Sequence, residues 1–104
     1  MIPVHLLVTR VPLQDGTFSQ HLHDAECFIS AQRIDTVSTV TDEGRKTDHL
    51  PDRVRSVLRY LDALSGYRLM YVAERADEIS RMVMRSFRGD DPAGPDFPPN
   101  SYSG

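Results

Sequence analysis

The sequence predicts an α+β domain, in which short strands precede a single C-terminal helix. Three observations point there. Apolar residues alternate with polar ones in short runs before residue 41. The stretch Tyr67 to Val72 is rich in tyrosine, leucine and valine, residues that suit a pleated surface. From Ala76 onward the period changes, and Ile79, Met82, Val83 and Phe87 fall on one helical face. Residues 1–88 read as one domain, and residues 89–104 as a Pro/Gly-rich disordered tail.

The first strand spans Pro3 to Val11, with Val4, Leu6 and Val8 alternating against His5, Leu7 and Thr9. Pro12 stops it, because proline has no N–H for the ladder. Gln14-Asp15-Gly16-Thr17 is a turn signal, with Gly16 free to take positive φ. Thr17 to His23 is polar and weakly patterned, and reads as loop or a short edge strand. Ala25, Cys27 and Ile29 mark a second strand. After a polar step at Ser30 to Arg33, the β-branched run Ile34 to Val40 marks a third. Thr41 to Pro51 is charged and reads as a solvated loop.

The segment Arg55 to Leu61 is ambiguous. Val54, Val57, Leu58 and Leu61 have helical spacing, with Pro51 suited to a first helical turn. The same residues also fit a strand, with Val54, Ser56, Leu58 and Tyr60 on one face and a turn at Leu64-Ser65-Gly66. Periodicity alone does not separate the two. The helix from Ala76 is clearer. Asp77 and Glu78 lie in its first turn and Arg85 and Arg88 near its end, as the macrodipole favours. Gly89 suits the residue after its C-terminus, and Met84 lies off the apolar face. Pro92, Pro95, Pro98 and Pro99 crowd the tail, which is too poor in apolar residues to offset its ordering entropy.

Composition bounds the function. At 104 residues, 26% charged and 39% hydrophobic, the chain fits an ordinary globular domain. Its net charge of −3 argues against a general nucleic-acid binder. No apolar run approaches the roughly 20 residues that span a bilayer, and the N-terminus does not read as a signal peptide. With Cys27 the only cysteine, no internal disulfide forms. A cytoplasmic location is the expectation.

Phe28-Ile29-Ser30-Ala31-Gln32-Arg33-Ile34-Asp35-Thr36-Val37 resembles the strand, tight step and "I-E-x-I/V" element of small flagellar FlbD-type proteins and similar short phage proteins. Tyr67 to Ile79, with Gly66 upstream, resembles their other half, a strand leading into a helix. The likeness covers about a third of the chain. Arg75 stands where the family often has a helix-capping serine, the loop from Gly16 to Phe28 is longer, and Thr41 to Arg53 is an insertion. The resemblance implies a small, strongly bent antiparallel sheet with the C-terminal helix packed on it. It also tips Arg55 to Leu61 toward strand.

No stretch carries a strong catalytic motif, and the expectation is a non-enzymatic protein without a cofactor. His21, His23, Asp24, Glu26 and Cys27 include possible zinc ligands. They lack a second ligand pair at defined spacing, His49 being the only loose candidate, so no metal site is assigned. A metal-dependent enzyme built on His21, His23 and Cys27 is the weakest of three readings. The charges of most interest are Arg53, Arg55, Arg59 and Arg68, which on a hairpin would gather into one fork-donor patch for carboxylates or phosphates. Tyr60 and Tyr67 lie beside them, and tyrosine with arginine is what interfaces enrich. A solvated, salt-bridged face is the plainer account of the same arginines.

The leading expectation is therefore a small bacterial or phage-type regulator or inhibitor that binds a protein partner stoichiometrically. Self-association is part of it, given a small core and open sheet edges. The second reading is an oligomeric binder of a small anionic ligand or nucleotide.

Overall fold

The computed structural model describes residues 1–88. The expectations for the tail and for Gly89 lie outside them. The elements are β1 (Ile2–Pro12), β2 (Phe18–Ile29), a 3-10 turn (Ala31–Arg33), β3 (Ile34–Thr39), α1 (Asp42–Thr47), β4 (Ser56–Asp62), β5 (Gly66–Val72) and α2 (Ala76–Arg88). The five strands form one antiparallel sheet in the order β2-β1-β5-β4-β3. The α+β expectation holds.

The opening hairpin forms where the turn signal lies. Leu13 N–H donates to Thr17 O at 2.8 Å, and Gly16 sits at φ 89°. Of residues 17–23, read as loop or short edge strand, all but Thr17 belong to a twelve-residue strand continuous with Ala25–Ile29. They are polar because β2 is an outermost strand, so their backbone pairs with β1 while their side chains meet water.

The simple alternation along β1 also fails at one point. Val4 and Leu6 pack on the side of the sheet that carries α2, but Val8 packs on the other side, with Leu7. The register shifts between Leu6 and Val8 against both neighbouring strands. Such a bulge lets two successive residues point to one side.

The sheet is buried on both sides. On the helix side, Ile2, Val4, Ile29, Leu58, Met70 and Val72 enclose Ile79 of α2, which is fully buried. Burying one such side chain contributes about 1.5–3 kcal/mol. Met82 and Val83 extend the contact, whereas Met84 and Phe87 are 57% and 61% exposed. Met84 was expected off the apolar face; Phe87 was expected on it, but packing ends at Val83.

On the opposite side, Leu7, Val8 and Tyr71 are covered by Leu50 and Val54. The segment read as a solvated loop is this cover. Thr41 Oγ1 accepts from Gly44 N at 3.0 Å and caps α1, with Asp42 and Glu43 in its first turn. Arg45 Nη1 then donates to the carbonyls of Val40 (3.2 Å) and Val54 (2.8 Å), tying both flanks together.

Arg55 to Leu61 lies almost wholly in β4, which pairs with β5 from Ser56↔Val72 to Asp62↔Gly66. Leu58 is fully buried, as the strand reading places it.

Candidate functional site

The β4–β5 register decides where the expected arginine patch goes. Residues directly opposite on paired strands share a face, and neighbours along a strand alternate. Arg59 lies opposite Leu69, whereas Arg68 lies opposite Tyr60. Arg59 and Arg68 are therefore on opposite sides of the sheet, and the four-guanidinium patch is not assembled. An offset of one position is the reason, since alternation has period two.

Each arginine has its own partner instead. Arg53 Nη1 is 3.2 Å from Asp24 Oδ1 of β2, an oxygen that His5 Nε2 also meets at 2.5 Å. Those two contacts, His5 foremost, hold the Asp24 carboxyl below its usual range. Arg68 donates to Asp62 Oδ2 through Nε (3.1 Å) and Nη2 (2.5 Å). Together with the Leu64 N–H and the Ser65 hydroxyl, this holds Asp62 down to about 2. Arg55 Nη1 donates to the carbonyls of Asp52 (2.7 Å) and Val54 (3.5 Å), and no carboxylate among the described residues pairs with it.

Arg59 is different. Its guanidinium lies over the Tyr67 ring, 4.2 Å from the centroid, and its Nε is 3.4 Å from Asp35 Oδ2. Tyr67 is opposite Leu61 on the same side of the sheet. Tyr60, on the helix side, accepts a hydrogen bond from Ser30 N at 3.1 Å and packs against the core. Of the six residues singled out, Arg59 stacks on Tyr67 on one side of the sheet, and Arg68 stands opposite Tyr60 on the other.

Two residues missed in the sequence complete that surface. Arg10, Leu69 and Arg59 stand in one cross-strand row between Gln20 and Thr36, so the row crosses all five strands. Arg10 lies 5.3 Å from the Tyr71 ring centroid, and its Nε donates to Gln20 Oε1 at 2.8 Å. The cover from Leu50 and Val54 protects Tyr71, but Leu61 remains 43% exposed and Leu64, at the turn, 94% exposed. Arg10 gave no local signal, because its role depends on strands that are remote in sequence.

A separate cavity of about 780 Å³ lies between α1 and the start of α2, lined in part by Thr41, Arg45, Arg55 and Arg75. Arg75 precedes α2, and Glu78 Oε1 accepts from its N–H at 3.0 Å, one half of a capping box. The cavity also holds Asp42 and Asp77, which pair with Arg45 and Arg75.

The possible zinc ligands do not converge. His21 Nε2 meets Ser19 Oγ at 2.8 Å and His23 Nε2 meets Thr9 Oγ1 at 3.0 Å. Cys27 packs against the helix-side core, and burial, then the Glu74 charge, push its thiol up. Among the described residues no three His, Cys, Asp or Glu side chains are grouped to hold a metal ion. Among them, too, no helix is long and apolar enough to cross a membrane.

No family model matches the chain, and no curated protein or solved structure is significantly similar to it.

Proposed function

We propose that the protein is a non-enzymatic cytoplasmic regulator or inhibitor that binds a protein partner stoichiometrically through the turn end of the β4–β5 hairpin. The observation that carries this reading is the Arg59–Tyr67 stack beside exposed Leu61 and Leu64. Arginine and tyrosine dominate the residues that supply binding energy at interfaces. Here the ring and the guanidinium are held together before any partner arrives, which lowers the entropy lost on binding. The sheet followed by a terminal helix supports the likeness to small flagellar FlbD-type and short phage proteins. The bulge at Leu6–Val8 and the register shift between Ile34 and Thr36 give the sheet two places to bend.

The test is affinity capture from a bacterial lysate with the tagged full chain. A stoichiometric partner should be retained by wild type and by Arg85→Glu, on the exposed face of α2, and lost with Arg59→Glu and with Tyr67→Ala. Equal retention by all four proteins would remove the reading.

A second reading, binding of a small anionic ligand, is favoured by one observation. Arg55 lines the cavity near α2 and has no carboxylate partner among the described residues. Native mass spectra of the purified protein would show an added mass of a few hundred daltons, lost with Arg55→Ala.

A further inference from the structure

We propose that β2 is a self-pairing edge, on which a second copy of the chain adds antiparallel with its own β2, His23 opposite His23. This surface is distinct from the Arg59–Tyr67 stack, and neither reading depends on the other.

The edge is long. β2 runs for twelve residues and pairs with β1 alone. Natural edges are blunted by lysine, by proline, by bulges or by shortness. β2 carries one irregularity, His23 and Asp24 together standing against Leu7 of β1. Residues 18–29 contain no lysine, arginine or proline. The other edge, β3, has only six residues, and α2 packs along it.

The register with β1 shows which β2 side chains share a face. Gln20 and Leu22 lie opposite Arg10 and Val8, on the side covered by Leu50 and Val54. Phe18 follows by alternation, and because Cys27 and Ile29 pack on the helix side, Asp24, Glu26 and Phe28 fall on that same covered side beyond the register shift. Phe18, Leu22 and Phe28 are 44%, 72% and 62% exposed.

The occupant follows from the strand's own symmetry. Two copies related by a two-fold axis perpendicular to the sheet must centre on one residue, because opposed residues share a face. Centring on His23 sets Phe18 opposite Phe28 at both ends and Gln20 opposite Glu26. Each aromatic meets an aromatic, and each carboxylate of Glu26 meets an amide donor. Centring on Leu22 sets Phe18 against Glu26. Centring on Asp24 sets two carboxylates face to face. Of these three, only the His23 centre matches both phenylalanines and keeps the acids apart, with Leu22 set opposite Asp24.

Sedimentation of the full chain across a concentration series, with and without Phe28→Lys, tests the edge. Dimer should form for wild type, and its dissociation constant should rise at least tenfold with Phe28→Lys at an unchanged circular dichroism spectrum. The register is tested by oxidation of two variants in a Cys27→Ser background. His23→Cys should form a covalent dimer, since directly opposed strand residues are within disulfide reach. Gln20→Cys should not, because the two residue-20 positions lie six residues apart along the paired strands. A monomer at every concentration, or equal cross-linking at positions 20 and 23, would overturn the proposal.

Discussion

The Asp62–Arg68 pair shows what a single contact does here. Asp62 sits at the end of β4, where its Oδ1 accepts from Leu64 N at 3.1 Å and its Oδ2 from Ser65 Oγ and from Arg68. One carboxylate therefore fixes the hairpin turn and holds a strand arginine. All these donors favour the charged form, so its pKa falls to about 2. A group depressed on folding stabilises the protein above its unfolded pKa, near ~4. That contribution fades as pH drops from there through about 2. Asp62→Asn should therefore lower the melting temperature at pH 7 but have little effect at pH 2. Melting curves for both proteins across that range check this; a pH-independent difference would count against the ion pair. Arg68 was singled out in the sequence as a binding residue, and its chemistry was legible. Its employment was not, because the choice between an external anion and Asp62 is made by the turn that brings them together.

The elements follow from local chemistry to different degrees. The first turn, β3, β5 and α2 were readable because their signals lie within a few residues of one another. β2 was readable only in its half from Ala25, since an edge strand with exposed side chains needs no apolar alternation, and its only partner is the strand before it. α1 was hidden by its six-residue length and its charges, and it stands on the Thr41 cap and on Leu50 reaching the core. β4 is the instructive case. Its apolar spacing fits a helix equally well, and the seven cross-strand pairs with β5 decide for strand. Those pairs depend on the turn, where Gly66 takes φ 84°. A Cβ there meets no atom within 4 Å, so the strain of a substitution is one of backbone conformation alone. Gly66→Ala should destabilise by about 1–2 kcal/mol. In a domain of this size that lowers the melting temperature by about 4–8 °C per kcal/mol. Calorimetry measures it; an unchanged melting temperature would show that the turn relaxes out of the left-handed region.

At the scale of the whole molecule, both covers depend on the same two central strands. β5 gives Met70 and Val72 to the helix side and Tyr71 to the other. Leu58 of β4 lies under α2, while Val57 packs against the cover from Leu50 and Val54. That two-sided arrangement explains why strands of ambiguous period stay strands: from Ser56 to Leu58 successive residues of β4 meet a cover on one side or the other, and only farther along do Arg59 and Leu61 face outward. It also makes the two cores one cooperative unit, because neither cover can lose its support without loosening the other. Leu58→Ala tests this most directly, the side chain being fully buried. The deletion should cost about 3–5 kcal/mol, against a total stability of roughly 5–15 kcal/mol for domains in general. Far-ultraviolet circular dichroism and tyrosine fluorescence should then move to lower temperature together, by about 12 °C or more. Tyr71 lies on the far side of the sheet from Leu58, so, measured in a background with the other three tyrosines (Tyr60, Tyr67 and Tyr102) changed to phenylalanine, its signal reports the cover that the substitution does not touch. Coincident transitions mean that the sheet transmits the loss through its shared strands. A fluorescence transition left behind at the wild-type temperature would mean two cores that melt separately, with β4 and β5 holding each on its own.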